Sequence, residues 1–92
     1  MYRISKVQKR NGSIQKFMPE KLFRSINKSL AHSGIENKKL SRKIMQEAIN
    51  ILEKKYKGKT IPVEVIKQTA GKVLVKNKLP EAARFYLLHR YL

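Results

Sequence analysis

Four cations near the start of the chain have the types and the spacing to bind a phosphorylated ligand. Lys9 and Arg10 are adjacent, and Lys21 and Arg24 follow at a spacing of three residues. Lysine brings a point charge to a phosphate, and arginine brings a rigid fork of hydrogen-bond donors. Lys21 and Arg24 fall in the first turns of a predicted helix, where cations oppose the helix dipole. Their presence there indicates that an anion lies nearby. We therefore predict that these four residues bind phosphate groups.

A β-hairpin that runs into a helix is the arrangement that would bring these cations together. Asn11-Gly12 is a strong hairpin signal, because both residue types tolerate the positive φ angles of a two-residue type I′ turn. The flanking residues predict strands at about 2–8 and 14–17. Pro19 favours the first turn of a helix, whose free N–H groups and positive partial charge attract anions.

Apolar residues at spacings of three and four predict four helices in the chain. Their approximate bounds are 19–33, 39–56, 62–77 and 80–91, and a short third strand is predicted at about 59–61. The length and the pattern indicate one domain over residues 1–92.

Charge is the strongest feature of the composition. Twenty-two Lys and Arg residues against six acidic residues give a net charge of +16, which attracts polyanions unless the lysines merely solvate the surface. The densest basic run is either a solvated loop or a nucleic-acid contact in which a tyrosine stacks on a base. This run contains Lys54, Lys55, Tyr56, Lys57 and Lys59.

Several classes of function are excluded by residues that the sequence lacks. The chain has no cysteine, and His32 and His89 have no local ligand partners, so we predict no metal site. No apolar run is long enough for a membrane span, and no secretory signal opens the chain, so we expect a cytoplasmic protein. No nucleophile, acid–base pair or Walker-type loop is recognisable, and we predict that the chain is not an enzyme.

Three segments, in order along the chain, resemble the ATP-cone. This nucleotide-binding regulatory domain occurs in ribonucleotide reductase large subunits and in the bacterial repressor of their genes. The first segment is Val7-x-Lys9-Arg10-Asn11-Gly12-Ser13 with Phe17 and Lys21, the second is Thr60-Ile61-x-Val63-Glu64-x-Ile66, and the third is Glu81-Ala82-Ala83-Arg84-Phe85-Tyr86-Leu87-Leu88-His89-Arg90. The third is similar to the family's closing Ala-x-x-Tyr-x-x-x-Arg. The family usually has Asp where this chain has Asn11, and Asn suits the turn equally.

The resemblance implies an α+β fold and a regulatory role. The expected fold is a small four-helix bundle capped by a β-hairpin plus a short third strand. In the family, ATP and dATP compete for one site and switch activity through quaternary structure. We therefore expect a non-catalytic ATP- or dATP-binding module that signals through a homo-oligomer or a partner protein, with any Mg²⁺ held by the phosphates.

The resemblance also implies a pocket for the base. Val7 and either Phe17 or Leu22 would line it, and Gln15 or Glu64 would contact the adenine edge or the ribose. Arg84 and Arg90, on the last predicted helix, are candidates for phosphate contacts from the opposite side.

Two other interpretations stay open at the level of sequence. The +16 charge is compatible with a nucleic-acid-binding protein, such as a transcription regulator built on the same fold. Alternatively, the chain is a structural module that has kept the fold and lost the ligand. No reductase domain and no zinc ribbon accompany the predicted module, so it is either a stand-alone regulator or a piece of a longer protein.

Overall fold

The structure, a computed structural model, describes residues 6–88 and contains four helices and three short strands in that range. The elements are β1 (Lys6–Gln8), β2 (Ile14–Lys16), α1 (Pro19–His32), α2 (Lys38–Tyr56), β3 (Ile61–Pro62), α3 (Val63–Lys76) and α4 (Pro80–Leu88). Helices and a small mixed sheet confirm the predicted α+β class. The predicted strand residues 2–5 and helix residues 89–91 lie outside the described residues.

The three strands form a sheet in the order β2-β1-β3. β1 is antiparallel to β2 and parallel to β3, and its middle residue Val7 pairs with Gln15 on one side and with Ile61 on the other. Val7 is buried, whereas Lys6 and Gln8 are exposed. The alternation of a strand therefore directs Val7 towards the helices and its two neighbours away from them.

The hairpin loop differs from the predicted two-residue type I′ turn. The Lys9 N–H donates to the Ser13 carbonyl (2.8 Å), and the Gly12 N–H donates to the Lys9 carbonyl (2.9 Å). Gly12 has a φ of +88°, while Asn11 keeps a negative φ. This is a three-residue loop, a type I turn followed by a left-handed glycine. The Asn11 Oδ1 accepts from the Ser13 N–H (3.0 Å) and from its hydroxyl (2.7 Å), which stabilises this turn.

The loop length sets the register of the hairpin. A two-residue loop at Asn11-Gly12 would have placed Lys16 opposite Val7. The observed loop places Gln15 there instead. A shift of one residue exchanges the two faces of a strand, so the turn decides that Gln15 shares the inner face with Val7.

The boundaries of the helices follow local signals. Pro19 occupies the first turn of α1, as predicted from its missing N–H. The Asn37 Oδ1 accepts from the Leu40 N–H (3.0 Å) and caps α2. Pro62 ends β3 and immediately precedes α3, so this strand lies slightly later than the predicted 59–61. Among the described residues, no helix combines the length and the hydropathy needed to cross a bilayer.

The apolar faces of the four helices and the inner face of the sheet meet in one core. Its buried apolar residues are Val7, Phe17, Leu22, Phe23, Ile26, Leu30, Ile44, Met45, Ala48, Ile49, Leu52, Ile61, Val63, Ile66, Ala70, Val73, Leu74, Ala82, Ala83 and Tyr86. Gly71 allows α3 and α4 to approach closely, because a Cβ at this position would lie 2.8 Å from Cδ2 of Leu87. A side chain at this position would therefore displace Leu87, so glycine favours the close packing of the two helices.

Tyr86 connects α4 to α1 through a buried hydrogen bond. Its side chain is 1% exposed, and its hydroxyl lies 2.9 Å from Oγ of Ser25. The Ser25 hydroxyl donates to the Leu22 carbonyl (2.8 Å), so the tyrosine is the donor in its bond to Ser25. The pair fixes the position of α1, which carries most of the cationic groove described next.

Candidate anion-binding site

A groove with a volume of about 510 Å³ runs along the exposed face of α1. Its lining residues are Lys9, Lys21, Arg24, Ser25, Asn27, Lys28 and Ala31. Four of these seven residues are cations, and none of the seven carries a carboxylate. The groove lining is therefore rich in positive charge, which suits a ligand with several negative charges.

The regular geometry of α1 and the end of β1 bring these cations together. Lys21, Arg24 and Lys28 are separated by three and four residues, so they lie on one face of the helix. Lys9 comes from the other side, just after β1, and is two residues beyond the inward-facing Val7. The Arg24 Nε donates a long hydrogen bond to the Glu20 carbonyl (3.4 Å), which orients its guanidinium along the helix.

A small apolar cavity adjoins the groove. It is lined by Val7, Lys9, Gln15, Lys16, Phe17, Met18, Lys21, Leu22, Val63 and Ile66. Lys9 and Lys21 line both spaces. The structure thus brings four of the five residues predicted for a base pocket next to two of the cations predicted for phosphates. The combined site has an apolar end and a cationic end, joined at Lys9 and Lys21.

The apolar cavity is small in this structure. Its volume is about 30 Å³, enough for about two water molecules and too small for a purine ring. Val7, Phe17 and Leu22 are buried and form part of the core. Met18 also lines the cavity but is 46% exposed, and a methionine side chain changes rotamer readily. A purine ring would fit this cavity only if the Met18 side chain or the hairpin were displaced.

Arg10 and Glu64 form an ion pair that joins the hairpin loop to the first turn of α3. Their side chains are 37% and 47% exposed, so we expect the pair to contribute less than about 1 kcal/mol. Neither residue lines the groove or the apolar cavity. Arg10 could contact a phosphate only after it breaks this weak ion pair with Glu64.

The remaining predicted site residues lie elsewhere. Arg84 is exposed on α4 and lines neither cavity, and Arg90 lies outside the described residues. Lys54, Lys55, Lys57 and Lys59 are exposed around the end of α2, where Lys57 adopts a left-handed φ of 45°. Tyr56 is half-buried and packs against the core, which reduces the surface it offers to a base.

Sequence reasoning missed Lys28, Asn27 and Ser25 as parts of the groove. The signal for Lys28 was present, because this residue continues the spacing of Lys21 and Arg24 along one face of α1. Asn27 and Ser25 carried no such signal, since each is an ordinary polar residue in a helix. The described residues hold no cluster of three His, Cys, Asp or Glu side chains that would bind a metal ion.

The chain matches a known family of domains. A family model described as the ATP cone domain matches residues 5–92. The matched range includes every residue of the groove and of the apolar cavity, and it extends over the last helix. Among curated proteins, none matches the chain significantly.

Proposed function

The chain belongs to the ATP-cone family, a family of nucleotide-binding regulatory domains rather than catalysts, and we propose that it binds ATP or dATP where the two cavities meet. One observation carries the proposal: Lys9 and Lys21 line both the apolar cavity and the cationic groove. A nucleotide has the same division into an apolar base and an anionic phosphate chain. Lys9 and Lys21 would then contact the first phosphates, next to the sugar.

The base would occupy the apolar cavity after it opens. Val7, Phe17 and Leu22 would pack against the ring, and the exposed amide of Gln15 would both donate to and accept from its edge. Gln15 is preferred to Glu64 for this role, because Glu64 pairs with Arg10 outside the cavity. Any Mg²⁺ would be held by the phosphates, since the groove residues offer no carboxylate.

Opening of the cavity gives the nucleotide a route to regulation. The cavity walls come from the hairpin, α1 and α3, so a bound base would change the position of the hairpin relative to the two helices. A surface that includes the hairpin would then differ between the free and the bound states. We propose that a second copy of the chain or a partner protein recognises this difference.

Calorimetric titration with ATP, dATP and inorganic triphosphate, at low and at moderate salt, tests the proposal. We expect saturable binding of the nucleotides at about micromolar Kd, about −8 kcal/mol, that persists at moderate salt. Triphosphate should bind much more weakly, because it has no base to occupy the apolar cavity. Equal, weak and salt-sensitive binding of all three would show that the charges act only as a diffuse field, and would contradict the proposal.

A second candidate function is nucleic-acid binding by the opposite face of the sheet. Lys6 and Lys16 are a directly opposed pair on adjacent strands, and both are exposed. Like charges at such positions repel and reduce stability, and a bound polyanion would offset this cost. The basic run that ends at Lys59 leads into β3, which pairs with β1 beside Lys6. The basic run and the pair of Lys6 and Lys16 would then form one cationic surface. A transcription regulator would need such a surface to bind DNA.

Reversing charges in the basic run tests this candidate. The variant Lys54→Glu/Lys59→Glu should bind a labelled single-stranded oligonucleotide more weakly than wild type, measured by fluorescence anisotropy at several salt concentrations. Each lost phosphate contact should lower the salt slope by about 0.7. ATP affinity should stay nearly unchanged, because neither lysine lines the groove or the apolar cavity. Unchanged oligonucleotide binding would rule out this surface.

A further inference from the structure

We infer that the site binds most tightly a nucleoside polyphosphate that carries a second nucleoside at its far end, an inference that rests on the proposed function. A further cavity of about 470 Å³, the far cavity, lies where α1 leads into α2. It is lined by Asn27, Ala31, Ile35, Glu36, Asn37 and Lys38. Asn27 and Ala31 also line the groove, so the path for a ligand continues from the groove into the far cavity.

The groove is longer than the phosphate chain of ATP. A helix rises about 1.5 Å per residue, so Ala31 lies about 15 Å along α1 from Lys21. The first and last phosphorus atoms of a triphosphate are only two P–O–P bridges apart, which spans less than half of this distance. A triphosphate that leaves the apolar cavity at Lys21 would therefore end well before Ala31 and leave the far cavity unfilled.

The far cavity differs from the groove in its charge. It contains one carboxylate, on Glu36, and one cation, on Lys38, so its lining is neutral overall. Glu36 is exposed and takes part in none of the ion pairs of residues 6–88. A carboxylate repels phosphate, but it accepts hydrogen bonds from the hydroxyls of a ribose. The far cavity therefore suits a sugar rather than a further phosphate.

The neighbouring side chains suit the other groups of a second nucleoside. The Asn27 Oδ1 accepts from the Ser41 hydroxyl (2.9 Å), which leaves Nδ2 to donate to a phosphate where the groove meets the far cavity. The Asn37 Oδ1 accepts from the Leu40 N–H (3.0 Å), so its Nδ2 is directed to the ligand in the same way. Ile35 is half-buried against the core and offers an apolar surface to a base.

The three spaces follow the order of groups in a dinucleoside tetraphosphate. The apolar cavity would hold one base, Lys9, Lys21 and Arg24 would contact the phosphate chain, and the far cavity would hold the second nucleoside. Four phosphates and the second ribose together cover the distance from Lys21 to Ala31.

The test is calorimetric titration of ATP, adenosine tetraphosphate and diadenosine tetraphosphate into the wild-type protein. The last two ligands have the same number of phosphates, so the difference between them reports the second nucleoside. We expect diadenosine tetraphosphate to bind about tenfold more tightly than adenosine tetraphosphate, the effect of one hydrogen bond to a charged group. This order is the reverse of the order expected from ligand charge, because adenosine tetraphosphate is the more negative of the two.

The variant Glu36→Gln separates the contact with ribose from the effect of net charge. A neutral amide accepts a weaker hydrogen bond than a carboxylate, so the affinity for diadenosine tetraphosphate should fall about fivefold. The affinity for ATP should stay the same or rise, because the protein becomes more positive. Glu81→Gln is the matched control, since Glu81 is an exposed carboxylate on α4 that lines neither the groove nor the two cavities.

The possible results separate this inference from the proposed function. Tighter binding of diadenosine tetraphosphate than of adenosine tetraphosphate, reduced in Glu36→Gln and retained in Glu81→Gln, supports the inference. Equal or weaker binding of diadenosine tetraphosphate overturns it and leaves the ATP site intact. A preference that survives Glu36→Gln unchanged also overturns it, because the second nucleoside then lies outside the far cavity. Absence of binding of all three ligands overturns the proposed function and this inference together.

Discussion

Replacement of Lys9 and Lys21 together with alanine is expected to lower the affinity for ATP by about two orders of magnitude or more. The two residues line both the groove and the apolar cavity, so the variant removes the cations nearest to the junction of sugar and phosphate. Hydrogen bonds to charged groups contribute about 1.5–3 kcal/mol each, and two of them correspond to at least a hundredfold change. Calorimetric titration with ATP measures the loss directly.

The double variant should fold normally, because Lys21 is exposed and Lys9 is only partly buried. Circular dichroism and thermal unfolding provide that check. Lys43→Ala/Lys72→Ala is the matched control: it removes the same charge from exposed positions on α2 and α3, outside both cavities. If the control loses as much affinity as the test variant, the nucleotide responds to net charge and the assigned site is wrong.

Truncation of Tyr86 to alanine should lower the free energy of unfolding by about 3–5 kcal/mol, the range for a large buried aromatic side chain. Tyr86 is buried in the core, and its hydroxyl reaches across to Ser25 on α1. A domain of this size is stable by about 5–14 kcal/mol, so the variant should be close to its unfolding threshold. Chemical denaturation measures the change.

Tyr86→Phe separates packing from hydrogen bonding at the same position. The ring stays, and Ser25 keeps its bond to the Leu22 carbonyl, so the loss should be only about 0.5–1.5 kcal/mol. Phe85→Ala on the same helix should lower the free energy of unfolding less than Tyr86→Ala, because Phe85 is only half-buried. Its ring stacks on His32, with the two ring centroids 3.9 Å apart. A loss below about 1 kcal/mol for Tyr86→Ala would contradict the packing of α4 against α1.

The Tyr86 variants would also test the structural role of a residue that the sequence singled out only through its resemblance to the family motif. Ala83 and Tyr86 match the family's closing motif, and the structure shows both residues buried between helices. Their role is therefore to hold α4 against the bundle. Through Ser25, which lines the groove, the same contact supports the wall along which the phosphates are proposed to lie.

The small volume of the apolar cavity, about 30 Å³, would lower the affinity for a base. If the base must separate the hairpin from α1 and α3, part of the binding energy is used to open the core around Val7 and Phe17. The observed affinity then equals the affinity of the open form multiplied by the fraction of molecules that are already open. The same cost would make a bound nucleotide effective as a signal, because it would bind the two proposed states with different affinities.

Much of this protein was determined by local features of the sequence. Apolar spacing gave four helices, because a helix that buries one face needs that period. Pro19 set the start of α1 through its missing N–H. The position of Lys21 and Arg24 on one face of α1 was predictable because residues three apart in a helix share a face. These features depend on residues that are close together in the chain, so they can be predicted from the sequence alone.

One feature that sequence analysis predicted wrongly is local: the Asn11 side chain bonds to Ser13 in a three-residue loop, and this loop places Gln15 opposite Val7. Other features were decided only by the tertiary structure. Glu64 lies far along the chain from Arg10, yet α3 brings the two together. Packing alone makes Lys9 and Lys21 common to both cavities and reduces the apolar cavity to about 30 Å³. Residue types indicate which groups can bind a phosphate, whereas close packing of distant segments decides which of them meet and how much space they leave.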